Sequence, residues 1–384
     1  MKYPESFSSK LPKVQTSIFT VMSKMAADHG ALNLSQGFPD FPVADELVKK
    51  VGEYMKKGYN QYAPSPGLPQ LREGISDKTA KLYGTYYNPG TEVTITAGAT
   101  EAIFCAITSM IREDDEVIMF TPAYDCYAPA VELCNGKPVF VPLHAPDYKI
   151  DWNEVKKLIT RRTRMIIVNT PHNPTGTVLA AEDVAQLERI TKDNDIVIVS
   201  DEVYQHIIFD GDEHQSMARY PELARRSFVV GSFGKTFHAT GWKVGYCLAP
   251  ENLTAELRKV HQYVTFAVNH PVQHALADYI QTPENYLHIA EMYREKRDFF
   301  VDALRGSKFE TIKSKGSYYQ LLNYSAISEE PDTEFAERLI KEYKVAAIPI
   351  SVFYNNPVQE QMLRFCFAKE KETLEKAAEI LHKL

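Results

Sequence analysis

The segment around Lys235 carries the residues best suited to covalent chemistry. It reads GSFGKT at positions 231–236, and its small residues Ser232 and Gly234 let the backbone approach a bound molecule closely. The Ser232 hydroxyl can donate a hydrogen bond to a phosphate. A second cation, Lys243, follows a few residues later, where its charge would neutralise that phosphate and lower the pKa of a neighbouring amine. These residues favour a lysine that forms a Schiff base.

Two known motifs share parts of this segment. A P-loop also ends in Gly-Lys-Thr, but it needs a further glycine where this chain has Val229. The Ser-x-x-Lys motif of penicillin-recognising enzymes matches Ser232 and Lys235, but the Lys-Thr-Gly element is missing because Phe237 follows Thr236. A surface loop with two solvated lysines is the plain structural alternative. The motifs elsewhere in the chain favour the Schiff base over that loop.

A carboxylate and a phenol follow another predicted strand. The apolar run at 196–199 leads directly to Asp201, which places this carboxylate at the C-terminal edge of a sheet, where α/β proteins bind ligands. Pyridoxal phosphate, an aldehyde cofactor that forms Schiff bases with lysine, needs such a carboxylate to keep its ring nitrogen protonated. Tyr204 can reach the phenolic oxygen of the same ring. The structural alternatives are a helix N-cap for Asp201 and an ordinary half-buried aromatic for Tyr204.

Two further turns follow predicted strands. The strand at 165–168 ends in the sequence NTPHNPTG, in which the proline after Asn173 holds this residue extended. The strand at 93–96 leads into a turn with Gly98 that opens a helix, and free N–H groups at a helix start bind phosphate well. Each turn alone also fits a generic strand-to-helix connection.

These motifs need a sheet to bring them together. Apolar, β-branched runs alternate with amphipathic helical patterns such as 180–194, which predicts an α/β domain with a mostly parallel sheet flanked by helices. The predicted strands are 93–96, 117–120, 165–168, 196–199 and 228–230.

The N-terminal and C-terminal parts of the chain lack the alternation of strands and helices that marks the central region. A short amphipathic helix is predicted at 17–29, and a long helix at 283–304 leads to a mixture of strands and helices. These later elements are strands at 318–322 and 362–367 and helices at 333–343 and 371–382. A chain of 384 residues is expected to form two domains. We predict a large cofactor-binding domain at 41–282 and a small α+β domain made of 1–40 and 283–384.

The composition and net charge argue against several classes of partner and site. With 43 Lys and Arg against 50 Asp and Glu, the net charge of −7 gives no reason to expect nucleic acid or an anionic membrane. Five cysteines without CxxC spacing argue against a disulfide framework or a zinc site. There is no signal-peptide-like start and no apolar run of the ~20 residues that span a bilayer. We therefore expect a cytoplasmic protein without a metal.

As a set, the motifs resemble the class I pyridoxal-phosphate-dependent aminotransferases of fold type I. The matching strings are NPTG at 173–176, SDEVY at 200–204, SFGKTF at 232–237 and GWKVG at 241–245, and the match runs from SQGFPD at 35–40 to RFCF at 364–367. The chain is most similar to the kynurenine, glutamine and methionine aminotransferase branch, nearest to the bacterial methionine aminotransferases. Most class I enzymes have arginine where this chain has Lys243, and the branch shares this departure.

The resemblance implies a set of cofactor contacts. Lys235 forms the Schiff base with pyridoxal 5′-phosphate and moves the proton, and Asp201 pairs with the ring nitrogen. Asn173 and Tyr204 hold the phenolic oxygen, and Tyr124 stacks on the ring. The residues implied to hold the phosphate are Ala99, Thr100, Ser232, Lys243 and, from the other subunit of a homodimer with shared active sites, Tyr62.

The resemblance also implies how substrates bind. Arg364 clamps the α-carboxylate as a bidentate pair, helped by Asn173 and the backbone of Gly37. An amino acid and a 2-oxo acid react in turn, by ping-pong kinetics. The aromatic residues expected near the side-chain pocket are Phe19, Phe38, Tyr62, Tyr124 and Phe266. This pocket suits methionine and aromatic amino acids, with glutamine and kynurenine as further candidates.

Two alternatives stay open at this point. A cysteine-conjugate β-lyase would use the same lysine to abstract the same proton, with loss of a group from the β-carbon. A non-catalytic regulator would keep the fold and the cofactor, but such regulators carry a DNA-binding module, and this sequence shows no basic module.

Overall fold

A computed structural model describes residues 8–356 and 358–384. The predicted small domain also includes residues 1–7, which lie outside this description. The strands are β1 (Leu32–Asn33), β2 (Val93–Thr96), β3 (Glu116–Thr121), β4 (Lys137–Pro142), β5 (Thr163–Asn169), β6 (Val197–Asp201), β7 (Ser227–Ser232), β8 (Gly245–Leu248), β9 (Glu310–Ile312), β10 (Tyr319–Asn323), β11 (Val345–Ala346), β12 (Ile348–Pro349) and β13 (Met362–Cys366).

Helices surround these strands. They are α1 (Ile18–Asp28), α2 (Asp45–Lys56), α3 (Pro69–Tyr83), α4 (Ala99–Met110), α5 (Tyr127–Leu133), α6 (Trp152–Leu158), α7 (Ala181–Lys192), α8 (Pro221–Ala224), α9 (Phe233–Thr236), α10 (Glu251–Val264), α11 (His270–Tyr279), α12 (Glu284–Leu287), α13 (Ile289–Ala303), α14 (Asp332–Tyr343) and α15 (Lys371–Leu381). No helix in the described ranges combines the length and apolar character needed to cross a membrane.

A seven-stranded sheet forms the centre of the molecule, in the order β2-β8-β7-β6-β5-β3-β4. Strands β3 to β7 pair in parallel, and β8 is antiparallel to both of its neighbours, so the predicted α/β fold with a mostly parallel sheet is confirmed. Two of these strands, β4 and β8, were not predicted from the sequence. Strand β4 begins and ends near prolines, which edge strands tolerate, and β8 contains no β-branched residue.

The sheet has an apolar core on each face. Along β3, Ile118 and Phe120 belong to one core, and Val117 and Met119 belong to the other, as the alternation of side chains along a strand requires. Helices α4 and α10 cover the second face. Two layers of helices therefore hold the sheet rigid, and the loops at its carboxyl edge are left to bind ligands.

The ends of the chain meet beside this sheet. Strand β1 pairs in parallel with β11, and β9, β10, β12 and β13 form an antiparallel sheet packed with α13 to α15. The helix predicted at 283–304 is interrupted at His288, since α12 buries Tyr286 and α13 restarts at the buried Ile289. The β1–β11 pairing supports the joining of the N-terminal segment to the C-terminal part, and the domain bounds themselves stay a prediction.

Candidate active site

The carboxyl ends of three parallel strands meet below a cavity of about 270 Å³. Asn169 ends β5, Asp201 ends β6 and Ser232 ends β7, so their side chains lie along one edge of the sheet. The cavity brings together most of the residues that the sequence predicted: Phe19, Gly37, Ala99, Thr100, Tyr124, Asn173, Asp201, Tyr204, Ser232, Lys235 and Lys243.

Lys235 lies on α9, a single helical turn that begins directly after β7. Its Nζ donates to the hydroxyl of Tyr318 at 2.7 Å and to the carbonyl oxygen of Gly37 at 3.1 Å. Burial lowers the pKa of Lys235 to about 8, and the charge of Arg364 acts in the same direction. Roughly a tenth of this amine is therefore neutral at pH 7, far more than for an ordinary lysine, and the neutral form is the one that acts as a nucleophile or a base.

Asp201 is a buried carboxylate with two hydrogen bonds. Its Oδ2 accepts from the Tyr127 hydroxyl at 2.5 Å, and its Oδ1 accepts from the Val203 N–H at 3.4 Å. Burial raises the pKa of Asp201 to about 6, and the bond from Tyr127 limits that rise. The carboxylate is part of β6 and caps no helix. A buried carboxylate of raised pKa gains from a cationic partner, such as a protonated ring nitrogen.

A turn between β2 and α4 forms the opposite wall. Gly98 precedes α4 with a φ of 81°, and the N–H groups of Ala99 and Thr100 in the first helical turn lack intrahelical partners. A Cβ on Gly98 would lie 3.2 Å from Nζ of Lys243. This helix start, the ammonium of Lys243 and the hydroxyl of Ser232 line the same cavity, and together they suit a phosphate.

Arg364 lies fully buried behind the cavity wall. Its guanidinium donates to Oδ1 of Asn173 at 2.6 Å and to the carbonyl oxygen of Ser35 at 2.9 Å, and its Nε has no partner. The ring of Tyr319 lies 3.9 Å from the guanidinium carbon, and the ring of Phe19 lies 5.2 Å from it. No carboxylate of the described residues pairs with this cation. A desolvated guanidinium with a free donor strongly favours a carboxylate ligand.

Three predicted residues lie away from this cavity. The side chain of Tyr62 is 81% exposed and contacts the ring of Phe266, which is 50% exposed. Phe38 is 43% exposed and lies under the ammonium of Lys369, so this chain does not bring it into the substrate pocket. Its position next to Gly37 in the sequence suggested otherwise, because consecutive residues in an irregular loop face different directions.

Four residues of the site were not predicted from the sequence. Asn169 and Tyr319 line the cavity, whereas Tyr127 and Tyr318 do not line it but bond to Asp201 and Lys235. Tyr127 and Asn169 bond to Asp201, and both are near motifs that were recognised: Tyr127 follows Tyr124 by about one helical turn, and Asn169 directly follows a predicted strand. Tyr318 and Tyr319 come from the small sheet, and no spacing pattern signals their approach. The remaining lining residues are Gln36, Ile103, Val203, Gly234, Thr240 and Val244.

The residues present fit pyridoxal phosphate. The amine of Lys235 suits the aldehyde, the carboxylate of Asp201 suits the ring nitrogen, and the start of α4 with Lys243 suits the phosphate. The ring of Tyr124 forms part of the wall between these groups. Each chemical feature of the cofactor therefore has a matching group within one cavity.

Comparisons with known proteins agree with this fit. A family model described as aminotransferase class I and II matches residues 30–381. A methionine aminotransferase from Escherichia coli (strain K12) is 48% identical over 98% of each chain, and a kynurenine–oxoglutarate transaminase 1 from Homo sapiens is 33% identical over 94% of each. A solved Escherichia coli structure with reported methionine aminotransferase function gives a TM-score of 0.97 at 48% identity, covering 99% of this chain and 100% of that one. An N-succinyldiaminopimelate aminotransferase structure from Mycobacterium tuberculosis gives 0.95 at 34% identity, covering 98% and 100%. The chain belongs to the class I and II aminotransferases.

Proposed function

We propose that this pyridoxal-phosphate-dependent aminotransferase uses methionine as its preferred amino donor, with aromatic amino acids, glutamine and kynurenine as further donors. The observation that carries the proposal is the aromatic wall of the cavity, formed by Phe19, Tyr124 and Tyr319. The basic side chains among its described lining residues are Lys235 and Lys243. Lys235 serves proton transfer, and Lys243 serves the cofactor phosphate. No cation is left for an acidic side chain, and the relative from Escherichia coli that is named a methionine aminotransferase supports the same donor.

The enzyme's own groups control the protons of the reaction. Bound pyridoxal phosphate supplies an electron sink that lets a proton leave the α-carbon of the substrate. Lys235 takes up that proton and returns it, because its lowered pKa makes it a base at working pH. Asp201 keeps the ring nitrogen protonated. Oδ1 of Asn173 accepts from Arg364, which leaves its Nδ2 to donate, together with the Tyr204 hydroxyl, to the phenolic oxygen.

The phosphate is held by the start of α4. Ala99 and Thr100 supply N–H groups, Ser232 supplies a hydroxyl, and Lys243 supplies the charge. Lysine gives a point charge here and cannot form the two parallel hydrogen bonds of an arginine. Tyr62 completes the site from a second copy of the chain, which makes the proposed enzyme a homodimer with shared active sites.

Arg364 binds the α-carboxylate of both the amino acid and the 2-oxo acid. Its free Nε and its buried position support this assignment, and the Gly37 backbone lies nearby to assist. The rings of Phe19 and Tyr319 lie against the guanidinium and help to fix its position, while a carboxylate binds in the plane of the guanidinium through its N–H groups. Because Phe19 belongs to α1, the N-terminal helix supplies part of the wall of the substrate pocket.

A donor panel tests the proposal. We expect kcat/KM for methionine, phenylalanine and glutamine, each with one common 2-oxo acid, to exceed that for aspartate by more than tenfold. A much higher kcat/KM for aspartate than for methionine contradicts the proposed donor class. Pyruvate release from cysteine conjugates, measured in the same assays, separates β-elimination from transamination.

A Lys235→Ala variant tests the catalytic role of Lys235 independently of the choice of amino donor. It should lose transamination with every donor and the absorbance of the covalently held cofactor, since general base catalysis alone contributes about 10²–10⁴-fold. A matched Lys192→Ala variant, at the exposed end of α7, controls for the loss of a lysine and should behave as wild type.

A further inference from the structure

The turn at residues 97–100, which connects β2 to α4, is called the phosphate turn below. Three buried side chains lie in contact next to it, and none of them lines the cavity. Oε1 of Glu101 accepts from Nδ1 of His261 at 2.8 Å and from Sγ of Cys105 at 3.0 Å. Its Oε2 accepts from the backbone N–H of Ala97 at 2.9 Å. Nothing in the proposed mechanism uses these groups, although Glu101 stands in the first turn of the helix that holds the phosphate.

The hydrogen bonds define the charge of His261. Its Nδ1 faces the carboxylate of Glu101, and its Nε2 faces the carbonyl oxygen of Ser65 at 2.9 Å. Two acceptors require two donors, and only the imidazolium form donates from both nitrogens. Burial by itself lowers the pKa of His261, but the bond to Glu101 and its charge raise it overall, and the same contact lowers the pKa of Glu101.

These donors do not form a metal site, although their residue types suit one. Both nitrogens of His261 carry protons, and both oxygens of Glu101 already accept hydrogen bonds. Burial raises the pKa of the Cys105 thiol, so this sulfur stays protonated and donates to Glu101. The cluster is therefore a buried ion pair with a neutral thiol beside it.

The ion pair connects the phosphate turn to two other segments. Glu101 bonds to Ala97, the residue directly before Gly98, and so fixes the chain where it enters α4. His261 bonds to Ser65, and its carbonyl oxygen accepts from the N–H of Phe266 at 3.1 Å. Tyr62 and Phe266, the exposed rings in contact with one another, are thus on segments anchored to the same histidine.

We propose that His261 and Glu101 are positioning residues that hold the phosphate turn in the geometry that binds the cofactor phosphate. The proposal rests on the proposed function, in which Ala99 and Thr100 bind that phosphate. Loss of either charge leaves the other buried without a partner, and the chain at Ala97 then loses its carboxylate acceptor or moves with it. The effect should be specific for the phosphate, because the side-chain hydrogen bonds of the pair in the described residues go to Ala97, Cys105 and Ser65, and of these only Ala97 adjoins the cavity, directly before Gly98.

The test compares two ligands that differ only in the phosphate. Apoenzyme is titrated with pyridoxal 5′-phosphate and with pyridoxal. The dissociation constant for pyridoxal divided by that for pyridoxal 5′-phosphate measures the phosphate contribution. We expect His261→Gln and Glu101→Gln to reduce that ratio by about tenfold or more, as loss of a charge-assisted hydrogen bond predicts, and to leave pyridoxal binding unchanged.

A second buried pair provides the matched control. His214 and Glu202 form a buried contact at 2.8 Å, and the other side-chain hydrogen bonds of Glu202 go to Ser200 and Met217 instead of the phosphate turn. His214→Gln should keep the wild-type ratio even if it lowers stability. Equal weakening of both ligands by His261→Gln, or an unchanged ratio, overturns the proposal. A wild type that binds pyridoxal as tightly as its phosphate ester contradicts the proposed function instead.

Nitrogen NMR of histidine-labelled wild-type enzyme gives a test that does not depend on the folding of variants. We expect one histidine to carry protons on both ring nitrogens at pH values where ordinary histidines are neutral. That signal should shift when inorganic phosphate is added to the apoenzyme. A neutral ring at every histidine, or no response to phosphate, overturns the proposal.

Discussion

Two opposing effects set the pKa of the Lys235 amine. Burial favours its neutral form. The Tyr318 hydroxyl and the Gly37 carbonyl oxygen both accept hydrogen bonds from the amine, which favours its charged form. Tyr318 itself donates to Gly37 at 2.5 Å, so its oxygen is left to accept from Lys235. The balance sets the pH range in which the released lysine can act as a base.

This balance predicts how activity depends on pH. Below a pKa of about 8 the free amine of Lys235 is increasingly protonated and cannot accept a proton, so kcat should fall as the pH decreases through that value. Tyr318→Phe removes one acceptor, which destabilises the ammonium form. The acidic limb of kcat should therefore move to lower pH by roughly one pH unit, the effect of one hydrogen bond to a charged group.

A distant tyrosine serves as the control for this variant. Tyr324 is as deeply buried as Tyr318, and its hydroxyl donates to the Glu330 carbonyl oxygen at 2.7 Å, far from Lys235. Tyr324→Phe should leave the pH profile unchanged. An acidic limb that moves to higher pH in Tyr318→Phe, or equally in both variants, contradicts the assigned role.

At the scale of elements, the turn before α4 must combine an unusual backbone conformation with close approach. Gly98→Ala forces a side chain onto a φ of 81° and places a Cβ 3.2 Å from Nζ of Lys243. At this φ and a ψ of 171°, a region that essentially only glycine adopts, the strain costs about 1–3 kcal/mol, and the added methyl group also displaces the phosphate or the lysine. We expect the dissociation constant for pyridoxal 5′-phosphate to rise by about tenfold or more.

Gly84 is a suitable control, because it has a φ of 83° and its Cβ would meet no atom within 4 Å. Gly84 lies in the ordinary left-handed region, with a ψ of −5°, so Gly84→Ala should lose thermal stability with no change in cofactor affinity. Equal cofactor affinity in the two variants would mean that the turn at Gly98 does not approach the phosphate.

Some elements of the fold could be predicted from sequence patterns, and some contacts between elements could not. Strands β5, β6 and β7 were predictable from β-branched runs, and the residues that follow them, such as Asp201, then had to share one edge of the sheet. Tyr318 was not predictable, because its approach to Lys235 depends on how the small sheet packs against the large one. The same holds for His261 and Glu101, which meet only because α10 packs on α4.

At the scale of the whole molecule, one surface exposes three aromatic side chains. Tyr62 and Phe266 are 81% and 50% exposed, and their rings contact each other. Tyr263, which is 87% exposed, lies close to Phe266 in the sequence. Exposed aromatic groups of this kind are typical of protein interfaces. They lie on the segments anchored by His261, so a second copy that covers them would also be linked to the phosphate turn.

Mixed dimers test whether Tyr62 acts across that interface. Lys235→Ala subunits and Tyr62→Ala subunits should each be poorly active alone, for different reasons. In a mixed dimer, the subunit that keeps Lys235 would receive an intact Tyr62 from its partner, which restores one complete site. Random pairing makes half of the dimers mixed, so co-refolding equal amounts should recover about a quarter of wild-type activity. If Tyr62 instead served the site of its own subunit, no mixed dimer would contain a complete site, and the mixture would be no more active than its components.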